Sequence, residues 1–451
     1  MRNRLKGPVA VRNMGKCSFP VIITAGLLVN VIGFAQRAPS DLPRVELSST
    51  PELIYSANSN DPWNKIFYFL FSRKLTVRLS SDFAEGAPFI DRSGQRKVSS
   101  RVFEKDETGD RAIDPMYPTF AVGFGGMLVL SDSAYPVFTR ALSDAVAETP
   151  ARSASARALM QSDLWGAYDA LFSPFLPDDE RALGERRKAA LDLIAHLIRK
   201  IALTPQEIEA LPENYSSAVR RDRFPDVFAK DSGWIEIAWF LPRTHDDHAG
   251  YRRVSRVFLK PAQPPQNVQR FLEAQTVSDP DVPSGLAGVA LITQLLLIDS
   301  HGNPQPTKLT SEAQIRLFVS GAESGTLTGT MRTCEISRKL FLQDSQSGGL
   351  VAEDANTPAY LSNGGSYGFA EGQLMPVPNQ SWGEPIRVKL RSRCAACHGE
   401  NLAQLMTFSV IRPPHPPQIR QLSAAGTTVA DLDIHLKRRQ KEFQALLGYF
   451  K

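Results

Sequence analysis

Residues 288–298, GVALITQLLLI, run through 299–303, DSHGN, toward 314–320, QIRLFVS, and the reading of this stretch decides the fold class. Two runs rich in Val, Ile and Leu flank a short polar turn in which Gly302 can take positive φ, the pattern of a β-hairpin. Working outward, Trp234–Leu241, Arg253–Lys260 and Glu335–Leu342 are further short β-prone runs, separated by Pro, Gly, Asp and Asn. An antiparallel β domain is therefore expected over residues 226–344.

Upstream the period changes. Leu183, Ala190, Leu191, Ile194, Leu197, Ile198 and Ile201 recur mostly at threes and fours, which predicts an amphipathic helix over Asp179–Ala202. Thr204-Pro205-Gln206-Glu207 has the composition of a capping box with proline at the first helical position, so a second helix is expected to start there. Earlier still, Ile66–Leu70, Leu75–Leu79 and Phe120–Phe124 read as β-prone runs with little helical period. Residues 51–225 are thus expected to form a mixed α/β region with a helical segment. Residues 345–385, rich in Gly, Ser, Asn and Pro, are expected to be a long loop or linker. The fold class that follows is α+β, ending in a small helical segment over 386–451.

The formal charge of the 451-residue chain is +5, but the surplus is local. Arg2, Arg4, Lys6, Arg12 and Lys16 carry it, and the first 35 residues hold no Asp or Glu, so the remainder balances at 47 of each sign. A nucleic-acid-binding protein would keep its cations on the folded part. Those five charges precede the apolar run FPVIITAGLLVNVIGF at 19–34, with small residues at Gly33 and Ala35, which predicts a secretory signal peptide over 1–35 cleaved after Ala35. The alternative is an uncleaved anchor, but Val21–Ala35 as a helix reaches only ~22 Å, short of a ~30 Å hydrocarbon core. Residues 36–50 read as a Pro- and Ser-rich linker, and the rest as an exported body with no membrane span.

The sharpest local signal is Cys394-Ala395-Ala396-Cys397-His398, followed by Gly399. With 4 cysteines and 7 histidines in 451 residues, roughly 0.0006 such spacings are expected per shuffled chain. Two thiols three positions apart at a helix start share one face and can reach both vinyl groups of a porphyrin, and the next imidazole then lies beneath the iron. A thioredoxin-like redox pair or plain disulfide is an alternative, though no βαβ context surrounds it; a zinc site shared with Cys334 is another, though no second ligand pair is visible. Cys334 otherwise reads as a buried structural thiol.

The segment Arg391–Gly399 resembles the haem-binding segment of c-type cytochromes, over some 60 residues of the chain. The resemblance implies one covalent haem c held by Cys394 and Cys397, iron bound by His398, a redox partner protein and one-electron transfer. An oxidoreductase with a peroxidase-like haem or a haem relay is the alternative activity, and a haem-bearing partner-binding module is a third. The sequence departs from small cytochromes at the sixth ligand: Met406 lies too close to His398 and reads as core. Met375, in Leu374-Met375-Pro376, and His415, between two proline pairs, are the candidate distal ligands; an open iron is the remaining possibility.

Arg387, Lys389, Arg391 and Arg393 alternate with Ile386, Val388 and Leu390, as on a strand with one cationic face, available to haem propionates or simply solvated. Thr428 and Asp431 open a final helix with Val429, Leu432, Leu436, Phe443, Leu446 and Phe450 on its stripe. His245-Asp246-Asp247-His248 has metal-like spacing but reads as a polar loop, His196 and His435 as structural or surface residues, and His301 as a turn residue. No nucleophile elbow, phosphate loop or dinucleotide fingerprint is present.

Overall fold

The computed structural model describes residues 44–47, 53–76, 88–90, 96–98, 109–112, 129–148, 152–172, 181–240, 253–277, 285–320, 327–352, 360–363, 367–370, 373–376, 385–388, 418–421 and 429–451. The expected leader, the rest of the expected linker, and the Leu79, Phe120–Phe124 and His245–His248 readings lie outside them; within the linker Arg44–Leu47 is instead a strand, paired antiparallel with Ser72–Thr76.

The hairpin predicted around residue 300 is present and anchors the largest sheet. Its strands are β1 (Ile235–Phe240), β2 (Arg253–Pro261), β3 (Leu286–Ile298), β4 (Pro304–Ser320), β5 (Leu327–Ile336), β6 (Leu350–Ala352) and β7 (Gln418–Gln421). All neighbours are antiparallel, in the order β6-β5-β4-β3-β2-β1-β7. The first six form a meander in chain order, and β7 returns from near the C-terminus to the free edge of β1. In the β3–β4 turn Asp299 Oδ1 accepts from the amides of His301 (2.9 Å) and Asn303 (2.8 Å), and Gly302 takes φ 82° as its position requires.

One face of the sheet is apolar. Cross-strand partners Phe258–Ala290–Ile315 and Ile292–Ala313–Cys334 lie in rows and pack under Tyr215, Phe224, Val227 and Phe341. Each Phe or Ile of these rows taken out of water contributes roughly 1.5–3 kcal/mol.

Ten helices accompany the sheet among the described residues: α1 (Pro62–Phe71), α2 (Tyr135–Ala147), α3 (Ala154–Phe172), α4 (Arg181–Lys200), α5 (Pro205–Glu209), α6 (Tyr215–Asp222), α7 (Val268–Val277), α8 (Arg338–Gln343), α9 (Val429–Arg438) and α10 (Lys441–Leu447). The protein is α+β. The stripe predicted for α4 is the buried one: Ala190, Ile194, Leu197, Ile198 and Ile201 join Phe138, Leu142, Trp165 and Phe443 in one core. The capping box before α5 is also present, with Thr204 Oγ1 accepting from Glu207 N–H at 3.2 Å and Glu207 Oε2 accepting from Thr204 N–H at 2.9 Å.

Several local readings are corrected. Ile66–Leu70 is not a strand but the middle of α1. Asp61 accepts from Trp63 N–H at 2.8 Å, Pro62 occupies the first turn, and Trp63, Phe67 and Leu70 are buried together, so a cap and helical burial override aromatic β-propensity. Glu335–Leu342 splits: β5 ends at Ile336, and Ser337 caps α8 by accepting from Leu340 N–H at 3.4 Å. The final helix is two, α9 and α10, divided at Arg439–Gln440, which lets Phe443 stack on Trp165 at 5.5 Å. The stretch after Ser345 is not wholly irregular, since it carries β6 and the short strands Tyr360–Asn363, Tyr367–Ala370 and Gln373–Pro376.

Three buried amides tie the layers together. Gln161 of α3 donates to Ile298 O and accepts from Ile298 N–H, both at 2.8 Å, closing the end of β3. Asn214 donates to Thr310 O and Gly348 O (2.9 Å each) and accepts from Thr310 N–H at 2.7 Å. Asn64 accepts from Ile54 and Tyr55 N–H and donates to Ser56 O and Asn58 O, fixing the segment before α1. Each satisfies backbone groups that would otherwise be buried without partners.

Candidate functional site

Cys394, Cys397 and His398 lie outside the described residues, as do Met406, His415, Lys389, Arg391 and Arg393. The chain on both sides of them is placed. Before the motif, Pro385–Val388 is a strand, as the alternation of Ile386 and Val388 with Arg387 predicted; it pairs with Tyr360–Asn363, Leu361 facing Arg387. Met375 lies in the strand Gln373–Pro376, whose partner is Tyr367–Ala370, with Gly368 opposite it. After the motif, β7 lies antiparallel to β1, Ile419 opposite Trp239.

The helices beyond β7 lock onto the body. Asp433 Oδ2 of α9 accepts from Ser255 N–H of β2 at 3.2 Å. Lys437 is buried, with its ammonium 3.0 Å from Asp169 Oδ2 and 4.9 Å from the Trp165 ring. A buried lysine is tolerated because a carboxylate and an aromatic face replace its water.

Beside α9 the second face of the sheet is polar and still buried. Ser255, Thr293 and Glu312 are cross-strand partners, as are Gln314 and Thr333, with Arg253 and Arg316 on the same face. Arg253 Nη1 is 3.7 Å from Glu312 Oε2, both side chains 2% exposed. Gln314 donates to Glu312 Oε1. The alternation of charged and apolar residues in β4 resembles a solvated strand, and sequence alone could not reveal that this face is covered.

A second buried charge network joins the helices to the sheet: Asp163 of α3, Arg338 of α8 and Tyr55, whose phenol donates to Asp163 Oδ2 at 2.6 Å. Burial first, and the charge of Asp163 next, hold the Tyr55 phenol well above its ordinary range. Burial likewise pushes the Cys334 thiol far up; it is a free thiol within the apolar cluster, an environment that keeps it protonated and inert. Sequence reasoning anticipated Cys334 but missed Asp163 and Arg338, which have no spacing signal across the intervening chain.

The described histidines stay apart. His196 is exposed on α4, with Nδ1 2.7 Å from Asp192 O and its ring edge-on to Tyr449; His301 is exposed in its turn and His435 exposed on α9. Among the described residues no three His, Cys, Asp or Glu side chains converge as a metal site, and no helix is long and apolar enough to cross a membrane.

Compared with known proteins, the chain matches no family model, no curated protein and no solved structure.

Proposed function

We propose that this is an exported protein, cleaved after Ala35, that carries one haem c and transfers single electrons. Cys394 and Cys397 tether the porphyrin through thioethers and His398 binds the iron. The observation that carries the reading is the sequence Cys394-Ala395-Ala396-Cys397-His398 itself, which the composition of the chain makes improbable by coincidence. Its donor set, two thiols at i and i+3 and an adjoining imidazole, fits a haem c. When bound, the haem supplies a one-electron couple whose potential depends on the sixth ligand, for which Met375 and His415 are the candidates. The leader agrees with the motif, because c-type haem is attached after export.

A second reading, a haem-dependent oxidoreductase, is favoured by the large body ahead of the motif and by the charged side chains it buries on the second sheet face. Electron transfer alone does not require them.

The test is expression with a cytochrome c maturation system, then denaturing electrophoresis stained for haem peroxidase activity. A stained band lost in Cys394→Ala/Cys397→Ala is expected; a colourless protein with the mass of the bare polypeptide rejects the reading. Low-spin absorption with a reversible couple supports the carrier, and high-spin absorption with peroxide turnover supports the enzyme.

A further inference from the structure

Four arginines lie at the C-terminal end of α6, and one of them, Arg221, pairs with the Asp222 carboxylate. Arg220 and Arg221 lie in its last turn, Arg223 caps it, and Arg332 reaches over from β5. Arg332 donates to Arg223 O at 2.6 Å and to Asp222 O, and its guanidinium lies 4.3 Å over the Phe224 ring. Arg221 holds Asp222 through two hydrogen bonds, at 3.1 and 2.6 Å, and also donates to Leu350 O. Those two arginines satisfy carbonyls and answer the negative end of the helix dipole, which is a structural role.

Arg220 and Arg223 have no such task. Both are exposed; Arg220 makes one long bond, 3.3 Å, to Ser217 Oγ. Arg223 is the one non-glycine residue among those described with positive φ, 54°, at a position where glycine would sit without strain. An observed backbone outlier of this kind points to function. Asp226, the next carboxylate along the chain, is turned to the amides of Phe228 and Ala229. Beside Leu350, Val351 is exposed on the edge strand β6, so the cations border an apolar contact. Arginine beside an exposed apolar side chain is a pairing enriched at protein interfaces. Residues 36–451 balance as a whole, so the local surplus of three positive charges, four arginines against Asp222, is set against a net negative remainder.

We propose that this cluster docks an acidic face of a partner protein, which in the electron-transfer reading is the redox partner. The electron-transfer part rests on the haem reading; the docking does not.

The test titrates the full, matured chain with fluorescein-labelled poly-L-glutamate at low ionic strength, beside an oligonucleotide of equal charge and phosphatidylglycerol vesicles. Poly-L-glutamate is expected to bind best, and more weakly as salt rises. Arg220→Glu/Arg223→Glu should weaken it about tenfold or more, whereas Arg270→Glu/Lys308→Glu, the same charge change at exposed sites outside the cluster, should not. Arg223→Gly should raise the melting temperature and still weaken binding, separating docking from stability. Equal losses in both double variants, or preference for the oligonucleotide or vesicles, would overturn the proposal. Haem staining without poly-L-glutamate binding removes the docking surface and leaves the haem; binding by a colourless chain leaves the surface and removes its redox role.

Discussion

Arg338 donates to both carboxylate oxygens of Asp163, 2.6 Å to Oδ1 and 3.1 Å to Oδ2, across 175 residues of sequence, with the side chains 8% and 6% exposed. Removing one partner strands a buried charge. Asp163→Ala or Arg338→Ala is expected to cost about 3–5 kcal/mol, and Asp163→Leu/Arg338→Met to recover much of that, because the desolvation of both charges then disappears. Denaturant titration of the three variants checks this; a double variant no better than the sum of the singles would refute it.

Gly349 has φ 61°, and a Cβ there would lie 2.5 Å from the Phe341 Cβ. Gly349→Ala is expected to destabilise by at least about 2 kcal/mol, from the left-handed conformation and the overlap together. Gly184, inside α4 with open space around its Cα, should behave oppositely: Gly184→Ala gains about 0.5–1 kcal/mol. Thermal melts of the two variants should move in opposite directions.

Burial alone would raise the Asp61 carboxyl, but hydrogen bonds from Arg152, Ser56 and the Trp63 amide outweigh it and hold the group below its ordinary value. A depressed carboxylate stabilises the fold above its unfolded pKa, about 4, and that contribution is lost as pH falls through the folded value. The melting temperature should therefore decline below about pH 4, and Asp61→Asn should lower it at neutral pH while flattening the acid decline. An unchanged slope would count against the assignment.

If the chain is cleaved after Ala35, as proposed, three cysteines remain, and both thiols of the motif are consumed if haem is attached. Cys334, buried and with its thiol held protonated, should resist alkylation in the native protein. In denaturant, mass spectrometry should find a single alkylated cysteine in the haem-stained protein. Three would mean that the motif is unmodified.

Three local signals were read correctly. The hairpin turn at Asp299–Asn303, the stripe of α4 and the Thr204–Glu207 box each depend on residues a few positions apart, and each is present. Ile66–Leu70 failed as a strand because the deciding contacts are a cap at Asp61 and a core shared with Phe138 and Trp165. The candidate haem site was legible as spacing alone, and its residues lie outside the described ones.

From the amino-acid order came the α+β class, the hairpin turn at Asp299–Asn303 and the Cys394–His398 spacing, since these follow from backbone preference and short covalent distance. Tertiary structure alone decided which charges are buried and where the cations meet: Asp163 with Arg338, Arg253 with Glu312, and Arg332 beside Arg223. Whether a charged residue faces water or a counter-charge is set by what the folded chain brings opposite it, and separation along the sequence carries no record of that.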